Sequence, residues 1–82
     1  MPALSHLQKA VLRTLIRTDQ PVNRAAFEQA LDHDAWIRRN RHRLARLDAT
    51  LAVMACEGWI RIHDGSVELL AAGRETADAA IS

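Results

Sequence analysis

The apolar positions in the first part of the chain recur every three or four residues, as they do in amphipathic helices. Ser5 followed by Gln8 forms a capping box, in which each side chain accepts a hydrogen bond from the other residue's backbone N–H. We therefore predict a first helix over residues 6–18, ended by Pro21 because the residue before a proline favours extended backbone. Its apolar stripe is Leu7, Ala10, Val11, Thr14 and Leu15.

A second, shorter helix is predicted over residues 24–31, with Asn23 as a favourable N-cap. Between the two helices, Val22 is expected to be a single extended residue. The segment Asp32-His33-Asp34 breaks the second helix and offers Asp34 as the cap of the next one. The inward face of the second helix is predicted to be Phe27, Ala30 and Leu31.

The third helical stretch is the longest, and Gly58 ends it as a residue able to adopt positive φ. Asn40 occupies a position on its apolar stripe where a hydrophobic residue is missing. The pattern leaves two alternatives open, one helix over residues 35–57 or two pieces broken near Asn40. Its apolar stripe is Ile37, Leu44, Leu47, Leu51 and Met54.

After Gly58 the apolar residues alternate, which is typical of β-strands. Residues 59–63 and 66–70 flank Asp64-Gly65, a dipeptide that favours the two-residue turn of a β-hairpin. This turn predicts a register in which apolar residues face each other and Arg61 faces Glu68 across the strands. The predicted pairs are His63 with Ser66, Ile62 with Val67, Arg61 with Glu68, and Ile60 with Leu69.

The last part of the chain is rich in alanine. We expect Ala71-Ala72-Gly73 to end the hairpin. Residues 74–81 are then either a short helix or a fraying tail.

This order of helix, extended residue, helix, longer helix and hairpin resembles the winged-helix-turn-helix domains of bacterial transcription regulators. The resemblance covers about residues 5–76, and its most specific part is Leu47, Leu51, Met54 and Gly58-Trp59-Ile60, followed by the hairpin and Leu69-Leu70-Ala71-Ala72-Gly73-Arg74. It implies a mainly α fold with a small β-hairpin, that is, a three-helix core plus a two-stranded wing. We expect a single domain over residues 1–82, with its core at about 5–76.

Two features depart from that family pattern. The tight turn between the second and third helices, usually a glycine followed by a small polar residue, is missing. Counting back from Gly58, a third helix of the usual length begins near His42 or Arg43, so residues 34–41 are either an insertion or the start of an unusually long helix. The wing is also short, with two loop residues.

Composition is consistent with one small helical domain. The chain has 82 residues, of which 49% are hydrophobic and 4% aromatic, with no tyrosine. The single cysteine, Cys56, excludes an internal disulfide and favours a reducing compartment. Met1-Pro2-Ala3 does not resemble the start of a signal peptide, and no apolar run is long enough to span a bilayer. We therefore expect a cytoplasmic protein.

The positive charge is concentrated in one segment. Taking the five arginines of residues 38–46 from the formal net charge of +1 leaves −4 for the remaining residues. Such a concentration gives the molecule a directional field that favours an anionic partner. The alternative is a solvated helical face whose arginines pair with acidic neighbours elsewhere in the fold.

The resemblance implies that the third helix enters the major groove of double-stranded DNA. Arg43, Arg46 and Thr50, with His42 beside them, are placed to contact bases, because direct readout needs long hydrogen-bond donors near the start of that helix. The phosphate-contacting residues are expected to be Arg38, Arg39 and Arg41. Arg61 lies on the outer face of the hairpin, where it either contacts DNA or pairs with Glu68.

Catalysis and metal binding find little support. There is no glycine-rich phosphate loop, no nucleophile motif and no close set of carboxylates, so we expect no enzymatic activity and no cofactor. Neither His33 between two aspartates nor Cys56 before His63 has a recognised metal-ligand spacing. Cys56 is expected to be a small buried hydrophobic residue. His6 is expected to be an exposed first-turn residue.

The two tryptophans have different expected roles. Trp59 is predicted to pack between the hairpin and the third helix. Trp36 is expected to pack in the core, with a dimer interface or a contact to a nucleic-acid sugar as alternatives.

Two functions remain open at this point. The first is a DNA-binding transcription regulator, expected to act as a homodimer because one small module makes few base contacts. Its dimer surface is predicted from the first helix and from Ala71, Ala72, Ala77, Ala79, Ala80 and Ile81. The second is a winged-helix module whose arginines bind the acidic surface of a protein partner, with Trp36 as an anchor.

Overall fold

A computed structural model describes residues 4–81 of the chain. The protein is mainly helical, with a small three-stranded antiparallel sheet. Met1-Pro2-Ala3, for which the sequence predicted no resemblance to a signal peptide, lies outside the described residues. The elements are α1 (His6–Ile16), β1 (Val22–Asn23), α2 (Arg24–Leu31), α3 (Ala35–Arg39), a 3₁₀ helix (Arg41–Arg46), α4 (Leu47–Cys56), β2 (Ile60–His63), β3 (Ser66–Leu69) and α5 (Ala71–Ile81).

The helix starts follow from their capping residues. The Gln8 N–H donates to the Ser5 hydroxyl over 3.1 Å, and the Ser5 N–H donates to the Gln8 side-chain oxygen over 2.8 Å, so the predicted capping box is confirmed. The Asn23 side chain accepts a hydrogen bond from the Ala26 N–H and caps α2, whose predicted bounds are also confirmed. Helix α1 ends at Ile16, two residues before the predicted end at 18.

The third helical stretch is broken at Asn40, in agreement with the second of the two alternatives given above. Asn40 leaves the helical region with φ −132° and ψ 41°, and its side-chain amide donates to the Trp36 carbonyl over 2.9 Å. Residues 35–39 therefore form a separate short helix capped by Asp34. The 3₁₀ helix that follows has three residues per turn, and this spacing decides where its arginines lie.

The hairpin has the predicted register at all four residue pairs. Asp64 and Gly65 have φ values of 50° and 73°, which a two-residue turn of this kind requires at both positions. The prediction did not include a third strand. Val22 and Asn23 pair with Val67 and Ser66, so β3 is the central strand of a three-stranded sheet.

The Gln20 side chain extends this pairing. Its oxygen accepts the Leu69 N–H over 2.8 Å, and its amide donates to the Leu15 carbonyl over 2.6 Å. The end of α1 is thereby joined to β3 through one side chain.

Gly73 does not end the hairpin as predicted, because α5 begins at Ala71 and includes it. A methyl group added at Gly73 would collide with the Trp59 carbonyl, so the glycine permits α5 to approach the start of β2. Helix α5 packs against α1, and Ala77 of α5 is fully buried. Ala77 lies one residue after the segment 5–76 that was expected to form the core of the domain. Ala77 is thus unavailable to the dimer surface predicted for this helix.

The core lies between α1, α2, α4 and the inner face of the sheet. Its largest fully buried side chains include Phe27, Leu12, Leu15, Leu51 and Met54. Trp36 and Trp59 are half-buried and pack against the core. Within residues 4–81, no helix is both long enough and apolar enough to cross a membrane.

Candidate nucleic-acid interface

A cleft of about 330 Å³ opens between the start of α1 and the segment that leads into α4. Trp36 lies in it, and the ring of His6 stacks on the Trp36 ring with 5.7 Å between centroids and 22° between planes. His6 is exposed, as predicted, but it also has this partner. We call this site the Trp36 cleft, and its lining residues are Ser5, His6, Leu7, Trp36, Arg43, Arg46 and Thr50.

Arg43 and Arg46 both line the Trp36 cleft because they are three residues apart on a 3₁₀ helix. Side chains at that spacing lie directly above one another in this type of helix. Both arginines are exposed, and within residues 4–81 neither forms an ion pair or a side-chain hydrogen bond. Two uncompensated guanidinium groups therefore border one aromatic surface.

Arg38 and Arg41 lie apart from Arg43 and Arg46. The Arg38 Nε donates to the backbone carbonyl of Asp32 over 3.3 Å, and Arg41 Nη2 lies 3.5 Å from the Asp32 Oδ1. Two of the three arginines expected to contact phosphates therefore already have a partner in the fold. The break at Asn40 and the 3₁₀ geometry direct Arg41 toward α2.

The other predicted residues of this segment are distributed around it. Arg39 and His42 are exposed and have no ion-pair partner among the described residues. Thr50 is half-buried and lines the Trp36 cleft. The Trp36 cleft thus brings together three of the eight residues predicted to bind DNA, namely Arg43, Arg46 and Thr50.

Arg61 is placed on the hairpin, away from the Trp36 cleft. Its Nε lies 3.5 Å from the Glu68 carboxylate, which confirms the predicted cross-strand pair. His63 lies near the turn, with its Nε2 3.1 Å from the Asp64 carboxylate. Because Arg61 has an acidic neighbour, the hairpin contributes less uncompensated positive charge than Arg43 and Arg46 do.

A second groove of about 330 Å³ lies between α2 and α4, and its arginines are paired with acidic residues. Arg24 Nη2 lies 2.6 Å from Asp48, and Arg24 Nε lies 3.8 Å from Glu28. Arg41 in the same groove faces Asp32. The two clefts have equal volumes, and of these two it is the Trp36 cleft whose cationic lining includes no acidic residue.

Trp36 is held in place by a buried carboxylate that the sequence reading identified only as a helix cap. The side chain of Asp34 is 4% exposed, and it accepts hydrogen bonds from Arg13 and from the backbone N–H groups of Trp36 and Ile37. Burial by itself raises the pKa of Asp34, but these hydrogen bonds and the charge of Arg13 outweigh it and hold the pKa below 3.8.

The Arg13–Asp34 pair had no signal in the sequence, because its residues lie 21 positions apart and on different helices. The Trp36–His6 stack likewise joins two segments that only the folded chain brings together. Arg24 was missed as well, although its position immediately after the Asn23 cap places it at the start of α2.

The outer face of α4 is apolar. Val53 is 50% exposed, and Cys56 is exposed rather than buried, which corrects the prediction made for it. The reason is helical spacing, since Leu47, Leu51 and Met54 take the inward face of α4. The exposed residues on the outward side are Ala49, Ala52, Val53 and Cys56, and the exposed Asp48 lies at the edge of this face, where it pairs with Arg24 of α2.

Among the described residues, no three side chains of histidine, cysteine, aspartate or glutamate are grouped closely enough to hold a metal ion. No family model matches the chain, and neither the curated proteins nor the solved structures contain a match to it.

Proposed function

We propose that this chain is a DNA-binding protein of the winged-helix type that regulates transcription. The order of helix, strand, helix, helix and hairpin supports the fold part of this proposal, because the resemblance implies the same order. In this arrangement α4, preceded by the 3₁₀ helix, is the element that approaches the major groove. The hairpin then contacts the DNA beside it.

The observation that carries the proposal is the uncompensated charge of Arg43 and Arg46. Arginine guanidinium groups donate bidentate hydrogen bonds to phosphates and to guanine edges. An arginine that pairs with its own protein loses part of this capacity, as Arg41 does at Asp32 and Arg61 does at Glu68. Arg43 and Arg46 have no such partner within the described chain.

The proposal includes a homodimer in the cytoplasm, without enzymatic activity or a cofactor. A single small module makes few base contacts, and two half-sites multiply affinity and selectivity. The exposed alanines of α5 that remain available for such a contact are Ala71, Ala72, Ala79 and Ala80.

The test is a titration of fluorescently labelled duplex DNA at 50 mM and 200 mM salt, followed by anisotropy. Binding through phosphates is expected to weaken steeply with salt, because counterions are released from the DNA. The double variant Arg43→Ala and Arg46→Ala is expected to lose specific binding while its thermal midpoint stays nearly unchanged.

The matched control is Lys9→Ala with Arg74→Ala, which removes the same amount of charge outside the Trp36 cleft. It should retain most of the affinity. Equal losses in the two double variants would show that only net charge matters, and unfolding of the Arg43 and Arg46 variant would show that these arginines are structural. Either result contradicts the proposal.

A second candidate function is supported by the apolar outer face of α4. A surface helix normally has polar residues on its outward side, whereas this face carries Ala49, Ala52, Val53 and Cys56. Exposed apolar surface beside Arg46 fits a protein partner with an acidic rim around an apolar centre. Absence of duplex binding at low salt would favour this second function.

A further inference from the structure

The Trp36 cleft has a cationic wall and an aromatic wall, and these two surfaces together complement the chemistry of a nucleic-acid strand. Its cationic wall consists of Arg43 and Arg46, and its flat wall is the Trp36 ring stacked with His6. Along a DNA strand, each phosphate is followed by a sugar with a less polar face and by a base with a flat surface. One cleft therefore offers cationic groups for a phosphate and a flat aromatic ring for the sugar beside it.

The backbone that carries the aromatic wall is held by hydrogen bonds, and the Trp36 ring is packed against the core and stacked with His6, which restricts its movement. The backbone N–H of Trp36 donates to the buried carboxylate of Asp34, which Arg13 holds in turn. The Asn40 amide binds the Trp36 carbonyl, so the backbone of this residue is fixed at both ends. A pre-positioned ring loses little conformational freedom when a ligand binds to it.

We propose that the Trp36 cleft binds one phosphodiester group of the DNA backbone through Arg43 and Arg46, with the neighbouring sugar packed against Trp36. This inference rests on the proposed DNA-binding function and assigns Arg43 and Arg46 to the DNA backbone rather than to the base contacts expected from the sequence. It assigns the start of α1, through His6, to the DNA-facing side of the molecule. A free nucleotide or inorganic phosphate also carries a phosphate group that Arg43 and Arg46 could bind. The experiment therefore compares these small ligands with duplex DNA.

The experiment uses the fluorescence of Trp36. Trp59 is the only other tryptophan, so the variant Trp59→Phe leaves Trp36 as the sole indole reporter. This variant is titrated with duplex DNA, with thymidine monophosphate and with inorganic phosphate at low salt. Duplex DNA is expected to change the Trp36 emission with the same midpoint as the anisotropy titration, and the two small ligands to leave it unchanged at equal concentration.

Substitution of Trp36 provides the complementary measurement. Trp36→Ala is expected to weaken duplex binding about fivefold or more, the lower range for loss of an aromatic contact to nucleic acid. Trp36→Phe should restore most of that affinity. If either variant or Trp59→Phe fails to fold, the indole N–H resonance of Trp36 in the unaltered protein gives the same information, and it is expected to shift when duplex DNA is added.

The outcomes separate this inference from the function on which it rests. Duplex binding with no response of Trp36 overturns the inference and leaves the DNA-binding function standing. Absence of duplex binding by the unaltered protein overturns both. A response to thymidine monophosphate or inorganic phosphate, without one to duplex DNA, identifies a small-ligand site and overturns the inference as stated.

Discussion

Arg13 and Asp34, which lie 21 residues apart in the sequence, form a two-point ion pair that joins α1 to the first turn of α3. The Arg13 Nε lies 3.0 Å from Asp34 Oδ2, and the Arg13 Nη2 lies 3.1 Å from Oδ1. The same carboxylate caps α3. One buried side chain therefore connects two helices and fixes the position of Trp36.

Replacing Arg13 by leucine should destabilise the protein by about 2 kcal/mol, because the buried carboxylate loses its charged hydrogen-bond donor. Chemical denaturation followed by circular dichroism measures this loss. Arg17→Leu is the control, since Arg17 Nη2 lies 4.0 Å from the same carboxylate and is more exposed. Its effect should be much smaller, and equal effects would show that the geometry of the Arg13 pair is unimportant.

The stability of the protein should fall at acid pH through Asp34. Its pKa is lower in the folded protein than the ordinary value of 3.8, so its contribution is complete above that value and is lost as pH falls below it. The measurement is the free energy of unfolding of the natural chain and of Asp34→Asn between pH 7 and pH 2. The difference in free energy of unfolding between the two proteins should become smaller below pH 4. A difference that stays constant with pH would show that the Asp34 carboxylate does not cause it.

Gly73→Ala should destabilise the protein by about 2 kcal/mol, because overpacking against the Trp59 carbonyl outweighs a gain of about 1 kcal/mol in helix propensity. Thermal unfolding gives the comparison. Ala72→Gly, one position away and exposed, changes only helix propensity and should lower stability by about 1 kcal/mol. A stabilised Gly73→Ala protein would show that α5 can move away from β2.

Thr14→Val should stabilise the protein by about 1 kcal/mol, because the buried Thr14 hydroxyl has no hydrogen-bond partner among residues 4–81. Urea denaturation measures the change. Thr18→Val is the matched control, since the Thr18 hydroxyl donates to the Thr14 carbonyl over 2.6 Å. The control should lose stability, so opposite signs for the two variants are expected, and equal signs would contradict this interpretation.

Local patterns in the sequence were sufficient to predict much of the fold. The hairpin register depends on alternation and on the two-residue Asp64-Gly65 turn, both of which act between close neighbours. The caps at Ser5, Asn23 and Asp34 likewise bind backbone groups two or three residues away. Such features can be read from the chain because the interacting groups are adjacent in it.

The candidate site was predicted only in part. Arg43, Arg46 and Thr50 share the Trp36 cleft, whereas Arg41 turns to Asp32. That separation depends on a change from α to 3₁₀ geometry after Asn40, which the apolar pattern marked only as a possible break. The outward position of Cys56 also depends on packing, because three larger residues, Leu47, Leu51 and Met54, fill the inward face of α4.

The sequence by itself determined the starts of α1 and α2, the caps at Ser5, Asn23 and Asp34, and the pairing of the hairpin, because these depend on groups a few residues apart. Tertiary structure alone decided that β1 joins the sheet, that Gly73 lies inside a helix against Trp59, and that Arg13 holds Asp34. It also decided which arginines remain unpaired, since that depends on which distant carboxylates the packing of the core brings within reach of each guanidinium group.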